Sequence, residues 1–304
     1  MRTVLVMGGT GLIGQALVDA LLRDAVQVIV SGRSQQKVEQ VFAQRVQFAR
    51  YTGEQIELPS SVQAVDAIVN LAGVSLSEGR WTKERKRLIL SSRIAATRAA
   101  VALIERQEPR VRTLVNASAV GYYGTSETVT FTEESLPVGD DFLASVCRAW
   151  EAEADHAVGL GTRVVKARFG VILGRGAGAL EKMVQPYRLF AGGPLGSGRQ
   201  YVSWVHISDA VGLLLLALGE DSVVGPVNVT APTPVRMNEM GQAIARVLRR
   251  PHLLRAPEIA LRVALGEMAT MVLEGQRVLP TVAQTYHYDY AFATVDRAMR
   301  DLLS

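Results

Sequence analysis

The chain has 304 residues, 48% of them apolar and 20% charged, with one cysteine and a formal net charge of +4. So large an apolar share excludes a disordered chain. A single thiol excludes a disulfide framework or a cysteine-rich metal site and fits a reducing compartment. The small basic excess makes no case for a nucleic-acid partner, which needs charge focused on one face.

Thr3-Val4-Leu5-Val6-Met7 is a short β-branched run that reads as a buried strand. Gly8-Gly9-Thr10-Gly11-Leu12-Ile13-Gly14 follows, and then Gln15 to Arg23 with apolar residues at helical spacing. Strand, glycine turn and helix start form the context of a dinucleotide fingerprint. The glycines let backbone N–H groups approach a pyrophosphate, and the helix N-terminus adds its partial positive charge. Val26 to Val30 is a second strand, ending in Ser31-Gly32-Arg33-Ser34. An NAD site would carry a carboxylate here for the ribose 2′-hydroxyl. The cation at Arg33 instead suits the 2′-phosphate of NADP(H).

Val46 to Arg50 reads as a third strand and Val65 to Asn70 as a fourth. The fourth runs into the small-residue turn Asn70-Leu71-Ala72-Gly73, where backbone can line the cofactor. Trp81 to Ile104 is a long helix, and its cations Arg80, Lys83, Arg85, Lys86 and Arg87 read as a solvated face. Val111 to Ala117 is the fifth strand, Phe142 to Val158 a second long helix, and Thr162 to Ala167 the sixth strand. The alternation predicts an α/β fold, a Rossmann doubly wound parallel sheet with a smaller C-terminal α/β substrate domain. The expected division is an NADP-binding domain over 1–175, its sheet completed by about 200–230, and a substrate-binding part over 176–304.

Beyond Gly174 the glycines at 174, 176, 178 and 192–198 read as flexible loops over a cleft. Val227 to Thr230 reads as a strand, and Met237 to Leu248 and Ala260 to Leu265 as helices. Tyr286, His287, Tyr288 and Tyr290 are expected to pack over the domain. His206 lies in an apolar segment and reads as a structural histidine. No His, Cys or carboxylate spacing points to a metal. The longest nearly apolar run near the middle, Val211 to Leu218, is far short of the roughly 20 residues of a membrane span. The start lacks the pattern of a secretory signal. The expectation is a cytoplasmic protein with a small-molecule substrate and neither membrane nor nucleic-acid partner. The two long helices are candidates for pairing in a homodimer.

Leu114-Val115-Asn116-Ala117-Ser118-Ala119-Val120-Gly121-Tyr122-Tyr123-Gly124, the Gly8–Gly14 turn, the Asn70–Gly73 turn and Trp204-Val205-His206-Ile207-Ser208-Asp209 resemble the extended short-chain dehydrogenase/reductases. Arg80-Trp81-Thr82, Ser92-Arg93, Gly192–Gly198 and Gly275–Pro280 resemble their atypical branch, the "epimerase family", related to the sugar-nucleotide epimerases. The resemblance spans nearly the whole chain. It implies NADP(H) binding, with contacts at Gly8, Gly11, Leu12, Ile13, Gly32, Arg33, Leu71, Ala72, Leu88 and Arg93, and in the segment Arg168-Phe169-Gly170-Val171. The turns themselves add Thr10, Ser31 and Gly73.

Ser118 matches the family's catalytic serine, whose usual partners are a Tyr acid/base and a Lys that lowers its pKa. Aligned on the family's glutamate at Glu151, those positions hold Leu143 and Cys147, and neither can do the chemistry. Three readings stand. Tyr122 or Tyr123 takes over as acid/base, with Arg148 as a local cation. Or the protein binds NADP(H) without turnover, as a sensor or regulator. Or the tyrosines only pack. A second departure is Val202, where sugar-nucleotide enzymes commonly carry an Arg for the pyrophosphate; Arg199 lies nearby. Two functions follow: an oxidoreductase or epimerase-like enzyme on a small polar carbonyl or alcohol, and a silent NADP(H)-binding protein.

Overall fold

The computed structural model describes residues 2–304. Its centre is an eight-stranded sheet. In chain order its strands are β1 (Thr3–Met7), β2 (Gln27–Gly32), β3 (Gln47–Tyr51), β4 (Ile56–Glu57), β5 (Ala67–Asn70) and β6 (Thr113–Ala119). After the small β7 (Thr130–Phe131) come β8 (Arg163–Phe169), then β9 (Val171–Gly174), β10 (Tyr201–Val202) and β11 (Trp204–His206) outside the sheet. β12 (Gly225–Val229) returns to it, and β13 (Val235–Arg236) and β14 (Arg277–Val278) close the series. The order across the sheet is β12–β8–β6–β5–β1–β2–β3–β4, parallel throughout except for β4 against β3.

Strand β1 shows why this sheet is buried on both faces. Alternate side chains point to opposite sides of a strand. Val4 and Val6 join a core with Leu17, Val18 and Leu21 of α1 (Leu12–Arg23) and Val38 and Phe42 of α2 (Gln35–Phe42). Leu5 and Met7 join a second core with Ala96, Ala99, Ala100 and Leu103 of α3 (Lys83–Arg106). α4 (Phe142–Asp155) packs beside α3, with Ala154 in that same core. The result is a three-layer sandwich of helices around a parallel sheet. Chain order reverses between β1 and β5, the crevice where such sheets bind ligands beyond their strand ends.

The C-terminal part has its own core. α5 (Gly178–Arg188), α7 (Met237–Leu248) and α11 (Val295–Leu303) meet there around Trp204. Trp204 is wholly buried, and its indole N–H donates to Thr233 O at 3.0 Å. α6 (Ile207–Gly219) instead covers the main sheet through Leu213, Leu214 and Ala217. The short helices α8 (Glu258–Leu265), α9 (Thr270–Leu273) and α10 (Thr281–Thr285) complete the fold. Among the described residues no helix is long and apolar enough to cross a membrane.

Three expectations are corrected. The glycines at 174–178 are not an open loop: they end β9 and begin α5, whose Leu180, Val184 and Tyr187 form a buried stripe at helical spacing. Glycines at its start and Pro186 near its end hide that helix from a propensity argument. The family resemblance implies a return to the sheet near Trp204–Leu218, but Trp204–His206 pairs with β9, and the sheet is re-entered at Gly225–Val229, within the expected 200–230. α1 begins at Leu12, inside the glycine motif, with Gln15 N donating to Gly11 O at 2.9 Å. Tyr286, Tyr288 and Tyr290 do pack against the first core, as expected.

Candidate functional site

The two turns at the crevice fit against each other through backbone. Gly8 has φ +73°, and a Cβ there would lie 2.8 Å from the Leu71 carbonyl. A Cβ on Gly14 would meet Gly8 O at 2.4 Å and Gly9 Cα at 2.6 Å. These glycines are therefore required by close approach of chain to chain. Gly8, Thr10, Gly11, Leu12 and Ile13 all sit at this strand-to-helix passage, and Leu71, Ala72 and Gly73 face it from beyond β5. Leu12 also abuts Gly174, whose added Cβ would be 3.1 Å from Leu12 Cδ1.

The β5 turn is held by a buried polar cluster. Asn70 Nδ2 donates to Asn116 Oδ1 at 2.7 Å and to Thr97 Oγ1 at 3.1 Å. Asn70 Oδ1 in turn accepts the Ala72 N–H at 3.1 Å. Asn70, the last residue of β5, and Asn116, in the middle of β6, are cross-strand neighbours. Sequence reasoning missed this pair, because only Asn70 marks a strand end and Asn116 lies within an apolar strand.

At the end of β2, Ser31 is buried, Gly32 half-buried and Arg33 exposed. The Arg33 charge is felt at the Tyr51 phenol on β3, whose pKa is raised by burial and partly restored by Arg33. Arg50 stands in register with Gly32 and is also exposed, a second cation beside Arg33 that sequence reasoning passed over.

The serine corner is built from side chains. Ser118 Oγ is buried and donates to Glu151 Oε1 at 2.7 Å. Glu151 is bound bidentately by Arg168, with Nε to Oε1 and Nη2 to Oε2 both at 2.8 Å. Arg168 Nη1 donates to Tyr123 Oη at 3.0 Å, and Tyr123 donates to Asn228 Oδ1 at 2.8 Å. Asn228 Nδ2 donates to Leu279 O, and its backbone N–H to Glu133. Glu133 also accepts the N–H groups of Thr281 and Val282, which ties α10 to this row. Burial works against the Arg168 charge, and the Glu151 carboxylate outweighs it, so the guanidinium titrates above its ordinary range.

This row separates the two tyrosines. Tyr123 has no exposed surface, is fully engaged, and burial pushes its pKa up. Its hydroxyl is committed within the row, which makes it the less available of the two candidates. Tyr122 is half-buried, with the Arg168 guanidinium 3.5 Å above its ring, and its hydroxyl has no hydrogen-bond partner among the described residues.

Two expected cofactor contacts, Arg168 and Leu88, have these surroundings. Arg168 spends its donors on Glu151 and Tyr123, and Leu88 is 47% exposed on α3. Val171, another expected contact, donates its N–H to Ser203 O at 2.8 Å, which holds β9. Arg148 turns away to Gly139 O and Asp140, so it supplies no cation to the corner. A second buried cation, besides Arg168, is Arg93. It donates to Val74 O and Ile89 O, lies over the Trp150 ring, and has no carboxylate partner among the described residues. Burial lowers its pKa, and its charge reaches Cys147. The Cys147 thiol is buried beside Ser118 and Ala119 and is pushed up to about 12, mainly by burial, so it stays neutral. His206 is structural, as expected: its ring contacts Ser208 and Asp301 and stacks on Phe292 at 3.8 Å.

The sequence pattern of the NAD dependent epimerase/dehydratase family matches residues 4–230, the span that holds both turns and the serine corner. The chain belongs to this family. A pattern described as a domain of unknown function (DUF1731) matches residues 256–302. Among family members, the chain is 42% identical over 297 residues to "Epimerase family protein YfhF" of Bacillus subtilis, covering 98% of this chain and 96% of that one. It is 46% identical over 303 residues to the chloroplastic "Epimerase family protein SDR39U1 homolog" of Arabidopsis thaliana, covering 99% and 86%. The crystal structure of human epimerase family protein SDR39U1 with NADPH superposes with a TM-score of 0.87, at 33% identity and 99% coverage of both chains. The epimerase family resemblance and the Rossmann-type fold expected from the motifs are both borne out.

Proposed function

We propose that this epimerase family protein is an NADP(H)-dependent oxidoreductase or epimerase-like enzyme acting on a small polar alcohol or carbonyl compound. The observation that carries the cofactor choice is Arg33, exposed at the end of β2 beside Arg50 with no carboxylate at the ribose position. A guanidinium takes a 2′-phosphate bidentately, whereas a 2′-hydroxyl asks for an acidic acceptor. The NADPH in the human relative's crystal structure supports the same choice. The pyrophosphate would lie over Gly8–Gly14 at the start of α1. When bound, the nicotinamide supplies or accepts hydride.

The chain's own residues set the rest. Ser118 uses its O–H to donate a hydrogen bond to the Glu151 carboxylate, so its oxygen is left to accept a hydrogen bond from a substrate hydroxyl. Tyr122, with its hydroxyl unengaged and a guanidinium over its ring, is the proton carrier. Arg93 supplies the fixed positive charge that the family draws from lysine.

Titration with NADPH and NADH tests the cofactor choice. Tighter NADPH binding is expected, with Arg33→Gln weakening NADPH by about tenfold or more and leaving NADH unchanged. Preference of the unaltered protein for NADH overturns it. The silent, cofactor-sensing reading is favoured by one feature, the neutral buried Cys147 at the lysine position. NADPH binding without turnover over a panel of carbonyl compounds and sugar nucleotides would support it.

A further inference from the structure

The C-terminal part sends one segment across to the cofactor domain. Both ends of that segment are anchored on its own side. Ala256 donates its N–H to Pro194 O, and its carbonyl accepts the Gly196 N–H, both at 2.9 Å. At the far end the buried Gln200 donates to Val272 O at 2.6 Å. A Cβ on Gly275 would lie 2.0 Å from Tyr201 O, so the two backbones are pressed together there.

Between these anchors, residues 257–271 form a strap made of α8, the 3₁₀ turn Gly266–Ala269 and the start of α9. Ala269 is the one buried residue in it. α8 buries none of its eight side chains, leaves Ile259 and Val263 exposed, and packs chiefly on the 3₁₀ turn that follows it. So short a helix is not stable alone and depends on its tertiary contacts.

Those contacts come from the cofactor domain. Arg80 Nη2 donates to Val263 O at 3.1 Å and to Ala264 O at 2.9 Å, capping the last turn of α8. Lys86 of α3 pairs with Glu267. Met268 packs into a cluster with Val74, Leu76, Trp81, Phe142 and Leu143. Arg80 and Lys86, which read in the sequence as part of a solvated face, are therefore ties between the two halves of the molecule.

The cluster under Met268 borders the serine corner. Val74 and Leu76 continue the turn after β5, and Phe142 and Leu143 open α4. Leu143 lies against Gly121, the residue before Tyr122, where an added Cβ would be 3.4 Å from Leu143 Cβ. Lifting the strap breaks two capping hydrogen bonds and one solvated ion pair and uncovers one half-buried methionine. Such a sum is small beside global unfolding, so the strap can open while the anchors hold.

We propose that residues 257–271 are a hinged lid over the approach to Ser118 and Tyr122, latched by Arg80 and Lys86. That a reaction takes place beneath it rests on the proposed function; the opening of the lid does not.

Hydrogen exchange of the full-length protein, read by mass spectrometry, tests the opening. Nitration by tetranitromethane tests what the lid covers. Amides of 258–268 are expected to exchange faster than those of 194–200 and 272–278. An Arg80→Gln, Lys86→Gln double variant should exchange there about tenfold faster again, with both anchors unchanged. Nitration of Tyr122 should rise in the same variant, and that of the fully buried Tyr123 should not. Glu267→Gln, at an exposed position, removes the same ion pair from the other side and should give a smaller rise in both readouts, which keeps the test open should the double variant misfold. Exchange of 258–268 as slow as at the anchors, or unmoved by the variants, overturns the lid. Faster exchange with unaltered nitration of Tyr122 overturns its place over the site. Neither readout uses turnover, so an inactive protein counts against the proposed function alone.

Discussion

The cofactor turns and the serine corner lie at neighbouring strand ends and are made of different material. At Gly8–Gly14 and Asn70–Gly73 the surface is backbone, shaped by glycines that allow two chain segments to approach within van der Waals contact. At Ser118 the surface rests on a row of buried side chains from Glu151 through Arg168 and Tyr123 to Asn228. A backbone site tolerates change wherever the added atom has space. A buried polar row is all or nothing, because each member satisfies the next.

The difference predicts a sharp ranking. Glu151→Gln leaves the buried Arg168 charge uncompensated, and a loss of about 3–5 kcal/mol is expected. Chemical denaturation measures it. Pairing Glu151→Leu with Arg168→Met should recover much of the stability but not the anchor for Ser118. An unaltered denaturation midpoint in the single variant would mean that the row does not hold the corner.

Next in size is the contrast of the tyrosines. Tyr123→Phe strands one Arg168 donor and the Asn228 acceptor, costing about 1–3 kcal/mol. Tyr122→Phe breaks no hydrogen bond and should shift stability by no more than about 0.5 kcal/mol, while removing turnover. Reversal of these two patterns would exchange their roles.

The smallest effect is a pH dependence at His206. Burial lowers its pKa below the unfolded value, so the unfolded chain binds the proton more readily. Its contribution is complete above the ordinary histidine range and is lost as pH falls through about 6.5 and below. Denaturation midpoints at pH 7.5 and 5.5 should differ less in His206→Gln than in the unaltered protein.

The same contrast explains what could be read from sequence. Strand, glycine turn and helix are local, so Gly8–Gly14 and Arg33 were legible, as was the order of alternating elements. The serine corner is not local. Ser118 and Glu151 are 33 positions apart, and Glu151 and Arg168 are 17. Only the packing of α4 on β6 and β8 brings them together, so the sequence offers Glu151 as an alignment marker and gives no sign that it pairs with Arg168. Tyr122 and Tyr123 are equivalent in sequence. They part because a 3₁₀ turn over Val120–Tyr123 sends one ring into the core with Phe131 and leaves the other half-buried. The Asn70–Asn116 pair was hidden for a related reason, since cross-strand register is not written in either strand alone.

The most direct test of the whole account is a crystal structure with NADP⁺ bound. The account predicts the 2′-phosphate on Arg33, the pyrophosphate over Gly8–Gly14, and the nicotinamide facing Ser118 and Tyr122 with the Tyr123–Asn228 bond intact. A 2′-phosphate away from Arg33, or a nicotinamide that displaces Tyr123 from Asn228, would contradict it.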